Sequence, residues 1–321
     1  MTPSGVRTLA GGRGDGDLDT IRFRGPLVAI GSFRAAPHDP RFHEAGRIDT
    51  HLFVFPRTAV RIRHLGEEAF VADPAVVTYY NRGQPYRREA ISAEGDRCEW
   101  FAPAPEIVVE AVCRYEPRAA ERPERPFRFG RGASDSRLYL AQRRLVLELA
   151  ADPTPEPLRV EEACVDLLYA VLASAYGSAA ARRPPTPADD RRGRELADRA
   201  ETVLAERFRE RLGLGPLAAL LGVSPGHLCR VFRRVVGASL HGYREQLRLR
   251  AALEEIESDR DLTDLALELG YSSHSHFTAA FRSCFGETPS AYRRSLAGAG
   301  SARRAARGRA RLSPVRAVRR R

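Results

Sequence analysis

The 321-residue sequence has no lysine, so all 52 of its Lys-or-Arg side chains are arginine. Arginine can fork onto a guanine edge or a phosphate, which lysine cannot do as a bidentate donor. The bias itself reads as the codon composition of a GC-rich genome. No apolar run approaches the roughly 18 residues of a membrane-spanning helix, and no membrane partner is expected. The opening MTPSGVRTLAGGRGDGDLD has no apolar stretch and does not read as a signal peptide, so a cytoplasmic location is expected. Cysteine is sparse. Cys98, Cys113, Cys164, Cys229 and Cys284 are odd in number and lack CxxC spacing, which argues against a disulfide framework and for free thiols.

The net charge of +11 is concentrated. Residues 298–321 hold nine arginines and no acid, which leaves only +2 for the rest of the chain. The basicity is therefore mostly a property of the tail. What matters for nucleic acid is charge on a particular element.

Along the chain, residues 1–19 read as disordered and 20–118 as a β-rich unit. The runs PLVAIGSF, HLFVF, AVRIR, VVTYY, RCEWFA and EIVVEAVC carry β-branched and aromatic residues between Pro, Gly, Asp and Asn clusters. Residues 119–178 read as a helical dimerisation and linking region. Leu138, Ala141, Leu145 and Leu149 share a face behind an N-cap at Ser134 or Asp135. Ala163, Cys164, Leu167, Leu168, Val171, Leu172 and Ala175 form an apolar stripe, suited to the β unit or to a second chain. A homodimer through this stripe is expected. Residues 179–194, rich in Pro and charge, read as a flexible linker. Residues 195–297 read as wholly helical, and 298–321 as a disordered Arg-rich tail.

The helical segment contains itself twice. A shift of 48 pairs Leu214 with Leu262, Leu217 with Leu265, Ala218 with Ala266, Leu221 with Leu269, Gly222 with Gly270 and Ser224 with Ser272. A shift of 49 then pairs Phe232 with Phe281, Arg233 with Arg282, Gly237 with Gly286 and Tyr243 with Tyr292. Each copy has the grammar of a helix-turn-helix. Pro216 suits the first helical position, and Thr263 is the corresponding cap in the second copy. Gly222 and Gly270 suit left-handed helix ends, and Ser224 and Ser272 suit caps of the following helices. Leu228 and Phe232, like Phe277 and Phe281, would point inward. Between the copies, about Leu240 to Ser258 reads as one helix of roughly 28 Å, a spacer suited to major grooves about 34 Å apart. Arginines 230, 233, 234, 244, 248 and 250, against the single acid Glu245, put the electrostatic footprint on this segment.

The stretches DLTDLALELGYSSHSHFTAAFRSCFGETPSAYR and VSPGHLCRVFRRVVGASLHGYREQLRLRAAL resemble the AraC/XylS family of transcription regulators over about 100 residues. The resemblance implies two helix-turn-helix subdomains joined by a long helix, with both recognition helices in adjacent major grooves of double-stranded DNA. It implies base-reading positions at Gly226, Cys229 and Arg230 and at His274, Ser275, Thr278 and Ala279. Arg230 is the leading candidate, and Arg233, Arg234 and Arg282 fall at phosphate-contact positions. Ser224, His227 and Ser273 complete the DNA-facing set. Transcription regulation, as activator or repressor, is the expected role, with RNA polymerase as the expected protein partner.

VADPAVVTYYNRGQPY followed by GDRC resembles the cupin-type sensor domain found in front of some such regulators. The expected fold is therefore α+β in two domains, a cupin-like β-barrel and an all-α tandem helix-turn-helix domain. Metal cupins carry closely spaced histidines, whereas His38, His43, His51 and His64 form no HxH pair, so no metal and no cofactor are expected. A small organic effector is, and His51, Tyr80, Tyr86 and Trp100 are its candidate contacts. The HxH pair His274/His276 sits at a recognition-helix start, where DNA contact or packing outweighs metal binding. The competing reading, an enzyme in the β unit, lacks a metal triad and a nucleophile–base pair.

Overall fold

The structure, a computed structural model, describes residues 18–43, 48–152, 154–180, 187–256 and 260–296, with backbone alone at 178–180 and 187–190. The expected disorder of 1–19 lies outside these residues except at its end, where Asp19 opens a strand. The Arg-rich tail, 298–321, lies outside them entirely.

The N-terminal half is built on two antiparallel sheets. The larger runs in the order β1 (Asp19–Arg24), β2 (Val28–Ala35), β8 (Asp96–Pro103), β3 (Leu52–Pro56), β6 (Val76–Tyr80) and β9 (Arg131–Ala133). The smaller runs β5 (Phe70–Ala72), β4 (Val60–His64) and β7 (Tyr86–Ala90). Alternate side chains of the large sheet go to opposite faces. Phe33, Val54, Tyr80 and Trp100 share one core with Val60, Ile62 and Tyr86 of the small sheet. Ile30, Phe53, Phe55, Tyr79 and Phe101 belong to the other core, with the helices. The expected barrel is not what forms. Among the described residues, no strand pairing joins the two sheets into a closed ring.

Five of the six apolar runs form strands, within two residues of their expected bounds. The sixth, EIVVEAVC, is helix α1 (Pro105–Cys113). Pro105 stands in its first turn, and Val108, Ala111 and Val112 are buried at helical spacing. Its β-branched composition points one way and its periodicity the other, and periodicity decides.

Helices α2 (Ser136–Ala151) and α3 (Pro157–Ala180) cover the large sheet. Asp135 is the α2 cap, accepting from the amides of Arg137 and Leu138. The α3 stripe from Cys164 to Ala175 is buried in this layer, and the Tyr79 hydroxyl donates to the Val171 carbonyl at 3.0 Å. The stripe expected to meet a second chain is thus spent within this one. That removes the observation that motivated the homodimer.

The C-terminal half comprises α4 (Pro187–Arg207), α5 (Leu214–Leu221), α6 (Pro225–Val236), α7 (Leu240–Glu255), α8 (Leu262–Glu268) and α9 (His274–Phe285), with residues 289–296 also helical. The expected flexible linker 179–194 is mostly helix, because α3 runs to Ala180 and α4 starts at Pro187. Residues 181–186 lie outside the described residues. Leu196, Ala197, Ala200 and Leu204 of α4 pack with Leu217, Leu228 and Phe232, so the linker's charged end continues into a core helix.

Candidate nucleic-acid interface

The first helix-turn-helix is α5, a turn and α6. Gly213 is the N-cap of α5, which puts Pro216 at the third helical position rather than the first, still inside the turn whose amides lack intrahelical partners. Gly222 ends the helix at φ +72° with open space around it. Ser224 caps α6, its Oγ accepting from His227 N at 3.3 Å, and Gly237 closes it in the left-handed conformation. Leu228, Val231 and Phe232 are buried. Gly226, His227, Cys229, Arg230, Arg233 and Arg234 are all exposed. Helix α4 packs along α6, and Gly193 lies under Arg234: a Cβ there would stand 2.9 Å from its Nη2.

The second unit, α8 to α9, has different caps from those expected. Asp261, not Thr263, caps α8, its Oδ1 accepting from Thr263 N at 2.6 Å and Asp264 N at 3.2 Å. Ser273, not Ser272, caps α9, its Oγ accepting from His276 N at 3.1 Å. The extra residue of the second copy therefore lies between Gly270 and the cap, and Ser224 corresponds to Ser273. Gly270 adopts φ +83°, and a Cβ on it would stand 2.3 Å from the Arg209 carbonyl oxygen. Phe277 and Phe281 are buried under α9. Ser275, Ala279 and Arg282 are exposed, while His274 and Thr278 are half-buried and meet at 3.5 Å. His276 instead turns its Nδ1 to Ser272 Oγ at 3.2 Å and packs its ring on Tyr271. The two histidines of the HxH pair thus serve different neighbours.

The electrostatic footprint is narrower than the sequence suggests. Three of the six arginines between 224 and 250 turn inward from α7. Arg244 donates to the Leu212 carbonyl at 2.5 Å, and Arg248 to the carbonyls of Phe208 and Glu210 at 2.6 and 2.9 Å. Arg250, 1% exposed, donates to the carbonyls of Pro74 and Ser134. Only Arg230, Arg233 and Arg234 remain on the outer surface. The spacer α7 has 16 residues, about 24 Å at 1.5 Å per residue, against the longer helix expected.

In the β unit, Tyr80, Tyr86 and Trp100 do come together in the core between the sheets. The two tyrosine rings lie 5.1 Å apart, and the Trp100 indole donates to Asp19 Oδ1 at 2.9 Å. His51 is separated from them by the large sheet. It packs on Phe127 and accepts from Arg82 N at 3.0 Å, and burial lowers its pKa to about 4. Sequence reasoning missed His64. It is fully buried beside Tyr80 and Phe70, neither ring nitrogen has a hydrogen-bond partner, and burial lowers it to about 4. Only its place at the end of an alternating strand marks it in the sequence. Nearby, Arg88 pairs with Asp96 at 2.9 Å and donates to the Tyr86 hydroxyl at 3.0 Å. Cys98 is buried, and desolvation pushes its thiol well above the usual range.

A helix-turn-helix domain family matches residues 217–295. Regulatory protein SoxS of Escherichia coli is 37% identical over 92 residues, which is 28% of this chain and 86% of that protein. The bifunctional transcriptional activator/DNA repair enzyme AdaA of Bacillus subtilis is 30% identical over 100 residues, 31% of this chain and 47% of that protein. Among solved structures, the C-terminal domain of AraT, a response regulator from Geobacillus stearothermophilus, is 26% identical. It covers 31% of this chain and 84% of that one, with a TM-score of 0.30. The match to most of SoxS agrees with the repeat and its capped second helices, and the chain belongs to the AraC family of DNA-binding transcription regulators.

Proposed function

We propose that this regulator reads a non-palindromic DNA site with α6 and α9 in successive major grooves. The observation that carries the reading is that both helices, one per repeat, are capped, held by buried apolar residues (three on α6, two on α9), and exposed on the opposite face. Arg230 is the principal base reader, since a guanidinium can bond guanine O6 and N7 together. His227, Ser275 and Thr278 are secondary contacts, with His274 held beside Thr278. Arg233, Arg234 and Arg282, one turn further on, meet phosphates. The caps Ser224 and Ser273 orient the first turns, and Gly226 and Cys229 present little that reads a base.

The N-terminal half is the sensor, and its effector is a small organic molecule. The aromatic set Tyr80, Tyr86 and Trp100 together with the unpartnered His64 supports that reading, because a buried imidazole without partners is the group a polar ligand would satisfy. His51, on the far face of the sheet, falls outside this set. RNA polymerase is the macromolecular partner that activation requires. Footprinting of bound sites across a genome tests the reading: protection over two major-groove segments on one face supports it, and protection of a single segment refutes it.

A further inference from the structure

Helix α7 joins the two readers and belongs to both of their cores. Tyr243 and Leu247 pack with Phe232 beneath α6, and Leu249, Ala252, Leu253 and Ile256 pack in the core that holds Phe277 and Phe281 beneath α9. The direction of α7 therefore sets how α6 and α9 stand relative to one another.

Three side chains of α7 are anchored in the N-terminal half. The Tyr243 hydroxyl donates to Asp73 Oδ2, in the turn after β5. The Arg250 guanidinium, stacked over the Tyr139 ring, donates to the carbonyls of Pro74 and Ser134. Glu254 accepts from Arg57 and pairs with Arg143 at 3.2 Å. Positions 243, 250 and 254 fall on one helical stripe, so these are three points along a single line of attachment. Asp73 and Arg250 are fully buried there, and Arg57 nearly so. The attached face is not the reading face, because the outer side chains of both α6 and α9 stay exposed.

We propose that the N-terminal half acts as a splint: docked on α7, it holds the two readers at one separation and phase, and the docked form is the one that reads DNA. This rests on the two-reader assignment above. Preorganisation of this kind raises affinity by reducing the ordering cost of binding, and it does so only for a site that engages both readers. It also makes binding intolerant of altered spacing, since one inserted base pair turns the second half-site by about 34° at 10–10.5 base pairs per turn.

The test uses the full chain and a duplex selected from random sequence by the wild type. The variants are Asp73→Ala, Arg57→Gln and their combination, which leave every residue of the helical half unchanged. Binding is measured on the intact site, on either half alone, and on sites lengthened by one or two base pairs. Hydrogen exchange over residues 240–255 reports loosening of the joint. The wild type should lose roughly a hundredfold in affinity on a one-base-pair insertion, within the range seen for a misplaced contact. The loosened variants should bind the intact site about tenfold more weakly, bind each half unchanged, and lose less than about tenfold on insertion. Tyr243→Phe removes a single hydroxyl and carries the same comparison if the combined variant does not fold. Tighter binding of the intact site by the variants would make the docking an inhibitory clamp and overturn the proposal. An unchanged spacing penalty in a loosened variant would overturn it as well. A wild type that binds one half as well as the intact site would instead overturn the two-reader assignment.

Discussion

Arg131 on β9 donates to Glu201 on α4 at 3.0 Å, and so ties the last strand of the sheet to the first helix of the reader half. Glu201 is 1% exposed. Burial pushes its carboxyl up to about 7, against the pull of Arg131, and the neighbouring Asp73 and Asp198 add to the rise. A group with this shift binds a proton more tightly in the folded chain than in the unfolded one. Its contribution to stability is therefore largest at low pH and falls as pH rises from about 4.5 to 7. Buried His51 and His64 titrate in the opposite sense, so the difference between wild type and Glu201→Gln is the quantity to follow. That difference should shift against the wild type by about 2–3 kcal/mol between pH 5 and pH 8, read by denaturant unfolding at each pH. A flat difference would mean that Glu201 stays ionised throughout.

Arg230→Ala should weaken binding to the best site by about 1–3 kcal/mol and leave binding to random DNA nearly unchanged. Arg230 is exposed next to the buried Leu228 and Val231, on a helix fixed at both ends, so its guanidinium has a defined aim. Equal losses on both duplexes, measured at one salt concentration, would reduce it to a phosphate contact.

The corrected position of the second cap gives a sharp comparison. Ser273→Ala should cost about 1 kcal/mol of stability, as loss of an N-cap does, and Ser272→Ala only a few tenths. Urea melts of the two variants decide it, and the reverse order would restore the shift of 48 through the turn.

Gln142 on α2 is fully buried, and neither atom of its carboxamide has a hydrogen-bond partner. Gln142→Met keeps the shape and removes the unpaired groups, so it should raise stability by about 1–3 kcal/mol. A destabilised Met variant would show that the carboxamide is satisfied by bound water.

The features legible in the sequence are those set by neighbours along the chain. Gly222, Gly237, Gly270 and Gly286 stand in left-handed conformations, and Ser224 and Asp135 cap as their local pattern requires. Phe277 and Phe281 are buried at their i, i+4 spacing. What escaped depends on distant contacts. Nothing near Arg250 says that its charge ends on two carbonyls more than a hundred positions away. The α3 stripe fits its own sheet and a partner chain equally well until the sheet is placed. Tyr80 and His51 look equivalent as candidate ligands, yet side-chain alternation sends them to opposite faces. Ser272 and Ser273 are adjacent serines, and only the hydrogen bond distinguishes the cap.

The two turn glycines have unequal futures. Gly222 faces open space, so an alanine there would meet only the left-handed backbone cost of about 1–2 kcal/mol. Gly270 has the same backbone but stands against the Arg209 carbonyl and Arg248, where no side chain fits. Drift can therefore reshape the first turn and re-aim α6 step by step, while the second turn stays frozen. In a lineage of such regulators, new DNA preferences would arise first at the half-site read by the first copy, and the half-site of the second would persist as the older word.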